Sequence, residues 1–156
     1  MTRAIGFRVE PRLVNWALVE GSSEAPTLAV PPGKLTSPST FAEPEALSFY
    51  RERTLLLLVE HSPDVVAIRF PETFGRQGVR EGDYRRCRIE GVILEAANSK
   101  GIRVVAGALA SISKNLGSKA AKHYLQDDDL RGLDWSKYSA KNMREAILVA
   151  ASALGA

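Results

Sequence analysis

The run Val65-Val66-Ala67-Ile68-Arg69-Phe70 constrains this chain more than any other stretch. It is short, almost wholly apolar, rich in β-branched residues and stopped by Pro71. That pattern predicts a strand buried on both faces, which needs a layer of structure on each side of its sheet. Helical patterns flank it. Leu47, Tyr50, Thr54, Leu55, Leu58 and Val59 keep helical spacing over Glu45 to Val59, and Ile89, Val92, Ile93, Ala96 and Ala97 do so in Tyr84 to Lys100. Asp83 stands where an N-cap would, and Gly101 where a C-terminal glycine would. Arg103 to Leu109 follows as another strand. A strand, a helix and a strand in this order predict a parallel pair joined by a crossover.

Upstream, AIGFRVEPRLVNWALVEG reads as two strands, Ile5 to Val9 and Val14 to Glu20, turned at Pro11 and Arg12. Val14, Trp16 and Leu18 share one face of the second strand. A third short strand, Thr27 to Val30, stops at Pro31-Pro32-Gly33, and Gly33 to Pro44 reads as a loop. Pro71 to Asp83, with Gly75, Gly78 and Gly82, reads as another. Downstream, Ser118 is a candidate cap for a helix from Lys119 to Leu125, and Asp127 to Trp135 reads as an exposed acidic stretch. Met143, Ala146, Ile147, Ala150, Ala151 and Leu154 form the stripe of a final helix, Ala140 to Leu154. The expected architecture is one domain over residues 1–156. Its mixed five-stranded sheet has three antiparallel strands, then two parallel ones, with helices on both faces.

Composition narrows the function classes. A net charge of +3 permits contact with nucleic acid without requiring it. A single cysteine, Cys87, excludes an internal disulfide and argues against cysteine-bound zinc. The start MTRAIGFRVE lacks an apolar signal core, and the longest apolar run, Leu55 to Val59, is far too short for a bilayer. The expected compartment is the cytoplasm, with no membrane association.

The element order, and the residues that carry it, resemble the ribonuclease H-like superfamily, and more narrowly the RuvC-type Holliday-junction resolvases. Gly6-Phe7-Arg8, followed after the turn by Asn15-Trp16-Ala17-Leu18-Val19, is similar to the opening hairpin of that family. DVVAIRFPET resembles its fourth strand, RRCRIEGVILEAANSKGIRVVAGAL its next helix and fifth strand, GSKAAKHYL the region after, and NMREAILVAASAL its final helix. The resemblance implies a two-metal nuclease site built from four acids. The positions that match those acids hold Arg8, Arg69, Asn142 and Glu145. A guanidinium has no lone pair for a cation and keeps its charge, so two arginines would repel the ions that such a site needs.

Three readings follow. In the first, the chain is a catalytically degenerate RuvC-like domain that binds nucleic acid or a nucleic-acid-processing partner, with no cofactor. In the second, it is an active nuclease whose Mg²⁺ ligands have moved to acids among Glu10, Asp64, Glu72, Glu90 and Glu145. In the third, it is a structural or regulatory subunit. A one-residue shift of register would turn Arg8 and Arg69 to the opposite faces and make Glu10 and Glu72 the acids of interest. Arg76, Arg80, Arg85, Arg86 and Arg88 form the strongest basic cluster, and Lys114, Lys119 and Lys122 extend it. It reads equally as a phosphate-contacting surface or a solvated helix start. Asp127-Asp128-Asp129 reads as a solvated loop, His61 as a helix end, His123 as a core or surface residue, and Cys87 as a partly buried, inert thiol despite its arginine neighbours. In the resembling resolvases the helix matching Tyr84 to Lys100 forms the dimer interface. Leu94, well round from Ile89 and Ile93, therefore predicts a homodimer through that helix.

Overall fold

A computed structural model describes residues 1–72, 78–117 and 119–156. The main sheet is built from β1 (Thr2–Val9), β2 (Leu13–Gly21), β3 (Pro26–Leu28), β4 (Gly33–Thr36), β5 (Val65–Phe70) and β6 (Arg103–Ala108). β1 pairs antiparallel with β2 and parallel with β5, and β5 pairs parallel with β6. Both β3 and β4 pair antiparallel with β2, one against Val19 to Gly21 and the other against Leu13 to Trp16. They occupy one strand position, broken in the middle. Across the sheet there are thus five positions, as the sequence pattern requires.

The break explains a difference from the sequence reading, in which Gly33 to Thr36 belongs to a loop. Pro31 and Pro32 have no N–H to give to a ladder, so pairing lapses there and resumes at Gly33. Gly33 is required by contact: a Cβ there would stand 2.8 Å from the Trp16 ring.

Strand alternation sorts the core into two halves. Ile5, Phe7, Val9, Val66 and Ile68 face α1 (Glu43–His61) and α2 (Glu81–Ser99). Ala4, Val65 and Ala67 face the other way, toward α5 (Lys141–Ala153), α3 (Leu109–Ile112), a short 3₁₀ turn and α4 (Ala121–Gln126). By the same two-residue period, Arg8 and Arg69 fall on the α5 side of the sheet. The α5 helix sits very close to it. A Cβ on Gly6 would lie 2.8 Å from the Ala150 nitrogen and would overlap the Ala146 carbonyl oxygen. The alanines of α5 and Gly6 together let the helix backbone come down onto β1, and this fixes the depth at which Glu145 enters.

Several boundaries differ from the sequence reading. Asp83 is not the N-cap of α2. The helix begins at Glu81, and the Asp83 carboxylate reaches back to accept the Arg80 backbone N–H at 2.9 Å. That is the reciprocal half of a capping box, displaced by one turn. Gly101 does follow α2 with φ +66°. Residues 127–135 are not simply exposed. β7 (Asp129–Leu130) and β8 (Leu133–Asp134) form a hairpin whose turn places Arg131 and Gly132 at positive φ. The hairpin buries Leu130, Leu133 and the whole of Trp135 while the aspartates stay outside. The candidate cap Ser118 lies outside the described residues, as do Gly75 and the centre of the Pro71–Asp83 loop.

Among the described residues, no helix is long and apolar enough to cross a membrane.

Candidate functional site

Arg8 and Arg69 are direct register partners on the parallel strands β1 and β5. The N-terminal end of α5 lies over this pair, and its Glu145, 1% exposed, enters between them. The Arg8 Nε–H donates to Glu145 Oε2 at 2.5 Å. The Nε of Arg69 lies 3.2 Å from the same oxygen, within ion-pairing distance, but its N–H is not aimed there and finds no acceptor among the described residues. One carboxylate oxygen therefore serves two guanidinium groups, and Arg69 retains an unused, buried donor. An unpaired buried donor is costly, so its presence here marks either strain or a site for an outside acceptor.

A second ion pair backs the first. On α2, Arg86 and Glu90 are four residues apart and both buried, with Nε donating to Oε1 at 2.8 Å. Arg86 also donates to the Arg69 carbonyl oxygen at 3.2 Å. Asn15, 1% exposed, donates to the Arg8 carbonyl oxygen and to the Glu10 carboxylate at 3.2 and 2.7 Å. The backbone around both arginines is thus held on several sides. Burial pushes the Arg69 guanidinium below its ordinary value, Glu145 pulls it back up, and Arg8 and Arg86 push it down further.

Burial raises the Glu90 carboxyl above its ordinary value of 4.5, against the pull of Arg86, Arg8 and Arg69. The folded state therefore holds the Glu90 proton more tightly than the unfolded chain does. Stability from this group rises as pH falls from the raised value toward 4.5 and is flat below. Urea unfolding between pH 7 and 4.5 should show wild type gaining on the Glu90→Gln variant as pH falls. A difference that does not change with pH would refute this.

Of the four positions that match the family acids, three converge: Arg8, Arg69 and Glu145. Asn142 is half-buried one turn before Glu145 and makes no side-chain hydrogen bond with any described residue. The orientation of Arg8 and Arg69 closes the alternative of a shifted register. Nor do the candidate relocated acids gather. Asp64, beyond the opposite end of β5, accepts the Arg3 backbone N–H at 2.8 Å. Glu10 is taken by Asn15 and Glu90 by Arg86, while Glu72 is exposed and stands 3.8 Å from Arg69. Among the described residues, no three His, Cys, Asp or Glu side chains are grouped to hold a metal ion. The donor set around Glu145 is guanidinium, which does not fit a divalent cation.

The cluster opens on one side into a cleft of about 470 Å³. Arg69, Glu72 and Glu145 line its inner wall, and Lys122 and Lys141 stand exposed on its rim. Lys141 was not singled out in the sequence, although it lies four residues before Glu145, one turn away on the same helix face. Arg144, also on the wall, is occupied: it donates to the carbonyl oxygens of Tyr138 and Leu125 at 2.7 and 2.9 Å, and it stacks on Trp135.

The proposed basic cluster divides. Arg86 is buried in its ion pair and cannot reach a phosphate, which corrects the expectation for it. Arg88 is engaged by Glu43 and Glu81. Lys119 pairs with Asp127 at 3.7 Å and lies over Tyr124. Lys114 and Lys122 are exposed, Arg85 is half-buried, and Arg80 sits at the start of α2. Arg76 lies outside the described residues. Cys87 is exposed rather than partly buried, and its thiol is raised by burial and by Glu90 more than Arg86 lowers it. Leu94 is half-buried, packed on one side against the core cluster that holds Ile89 and Ile93.

No family model matches the sequence, and no curated protein matches it. Solved structures do match. Thermus thermophilus RuvC in complex with a Holliday-junction substrate is 18% identical, with a TM-score of 0.76 over 97% of this chain and 92% of that one. Thermus thermophilus RuvC alone gives 0.75 at the same identity and coverage. The yeast mitochondrial Holliday junction resolvase is 9% identical, with a TM-score of 0.67 over 98% of this chain and 78% of that one. At such identities the likeness is one of fold, and it is nearly complete: this chain has the RuvC-type, ribonuclease H-like fold.

Proposed function

We propose that this chain is a RuvC-like domain that binds nucleic acid, including branched DNA, and does not cut it by metal-ion chemistry. The observation that carries the reading is the pairing of Arg8 and Arg69 across β1 and β5 with Glu145 clamped between them. In this reading two guanidinium groups hold the positive charge that a resolvase of this fold would take from metal ions. Arg69 lines the cleft as a fixed positive charge, and Lys122 and Lys141 attract the ligand's phosphates from the rim. Guanidinium binds a phosphodiester without polarising it as a metal would and without generating hydroxide.

A homodimer through α2 belongs to the same proposal. The face that would carry it is the line of Tyr84, Cys87 and Gly91, continued by the half-buried Leu94 seven residues after Cys87; a Cβ on Gly91 would meet nothing within 4 Å.

The test is fluorescence anisotropy with labelled four-way junctions and linear duplexes across a range of salt, with the mass of each sample checked by light scattering. Binding should weaken linearly in log–log with salt. The double variant Lys122→Glu, Lys141→Glu should lose at least tenfold in affinity at low salt. The protein should scatter as a dimer. Affinity that ignores both salt and this double variant would leave the structural or regulatory reading standing instead.

A further inference from the structure

A second cavity lies at the same end of the sheet as the arginine pair but on its α1–α2 side. It holds about 180 Å³ between the β1–β2 turn, the end of β4, the start of α1 and the buried face of α2. Leu47, Tyr50 and Ile89 line its interior. Phe41 stands among its lining residues, 41% exposed, with its ring edge-on to Phe49 at 6.4 Å. A turn closed by the Phe41 N–H donating to the Pro38 carbonyl oxygen holds that ring in place. An exposed phenylalanine braced by its own turn and a second ring is a platform with nothing on it.

The polar groups around this cavity are unequally satisfied. The Tyr50 hydroxyl is used: it donates to the Arg12 carbonyl oxygen at 2.7 Å and accepts the Ser37 N–H at 3.4 Å. The one carboxylate of the lining, Glu43, is engaged by Arg88 at 2.8 Å. Arg12 and Arg85 also line the cavity, and the guanidinium of neither makes an ion pair or hydrogen bond with any described residue. The cavity therefore offers an apolar slot, a free aromatic face and two uncommitted positive charges.

Size and charge together select the ligand. An apolar cavity of about 150 Å³ accepts a single aromatic ring, so this one takes a ring-sized group and not a larger molecule. Two unpaired guanidiniums call for an anion attached to that ring. We infer that the cavity between α1, α2 and the β1–β2 turn is a nucleotide site, taking one unstacked base against Phe41 while Arg12 and Arg85 hold its phosphates. Stacking of this kind tolerates any base, because every base has a π-face. The site lies outside the cleft over Arg69. It extends the nucleic-acid reading and shares with it the ligand class alone.

The experiment has two arms. In the first, 2-aminopurine is placed at successive positions of a single strand and of a four-way junction. On binding, one position should change its fluorescence. Phe41→Ala should abolish that change and weaken binding about 5- to 100-fold. Leu47→Trp, which fills the cavity, should do the same, and Arg85→Ala should act in the same direction. In the second arm, millimolar adenosine monophosphate is titrated against labelled protein. The amide resonances of Ser37, Ser39, Thr40, Phe41 and Tyr50 should move, and Arg85→Ala should suppress the movement. Tight strand binding that Phe41→Ala and Leu47→Trp both leave unchanged, without monophosphate shifts, overturns the inference and leaves the cleft reading intact. Monophosphate shifts without strand binding uphold the nucleotide site and remove the cleft reading. If neither arm responds, both fall.

Discussion

Replacing Glu145 by alanine should lower the unfolding free energy by about 3–5 kcal/mol, measured by urea denaturation at neutral pH. The side chain is 1% exposed and stands within 3.2 Å of two guanidiniums whose own side chains are only 13% and 11% exposed. Removing it leaves two adjacent positive charges that do not reach bulk water easily; Glu72, 3.8 Å from Arg69, is exposed and screened, and Glu90 is already held by Arg86. Glu145→Gln keeps the volume and one acceptor and should lose about half as much. Combining Glu145→Ala with Arg8→Met should recover part of the loss, since the second change removes one of the orphaned charges. A loss below about 1 kcal/mol for Glu145→Ala would mean that water already screens the pair, and that the cluster is not the closed device described above.

The second large effect runs the other way, by rebuilding what the fold's nucleases are expected to carry. Arg8→Asp, Arg69→Glu and Asn142→Asp together would set three carboxylates around Glu145. In the absence of metal they repel one another, and the triple variant should melt well below wild type in chelator. Added Mn²⁺ should then bind the folded state alone and stabilise it by about 2.7 kcal/mol at a hundredfold excess over the dissociation constant. For a chain of this length that is a rise in melting temperature of roughly 5–10 °C. Wild type should move by less than a degree, because its site presents guanidinium to the ion. Equal shifts in the two proteins would show that the metal binds elsewhere, and that these positions do not form one site.

Much of this was legible in the sequence, and the reasons differ by residue. Val65 to Phe70 could be read because five apolar residues out of six, interrupted only by Arg69, leave few choices but a strand covered on both faces. Once β1 and β5 were placed as parallel neighbours, Arg8 and Arg69 fell level, since each follows its strand's apolar run by the same count. Glu145 followed from its place on the final amphipathic helix. The broken third strand position was harder. Gly33 to Thr36 has neither the length nor the composition of a strand, and it pairs only because β2 offers an open edge. The hairpin at Asp129 to Asp134 was hidden by its charges, though Leu130, Leu133 and Trp135 marked its inner side.

The site's supporting groups were misread for a different reason. Arg86 looked like part of a phosphate-binding cluster because charge in a sequence carries no sign of burial. The signal that could have corrected this was Glu90, four residues on and between Ile89 and Ile93, so that Arg86 and Glu90 share the buried side of α2. Leu94 was read more nearly right: offset from the sheet-facing stripe, it is half-buried, with one side packed against the core beside Ile93. Lys141 went unnoticed because a lysine at the start of a helix is ordinarily just solvated. Only the fold places it on the rim of a cleft with Arg69 inside.

The most direct test of the account is cleavage by the wild-type protein. A labelled four-way junction is incubated with repurified protein at saturating concentration, with millimolar Mg²⁺ or Mn²⁺ or with chelator, and the strands are resolved on a denaturing gel. The account predicts intact strands in all three, from samples in which anisotropy shows the junction to be bound. Nicked product that requires the metal, persists through further purification and disappears with Glu145→Gln would contradict it. That result would mean that Arg8 and Arg69 frame a working nuclease centre after all.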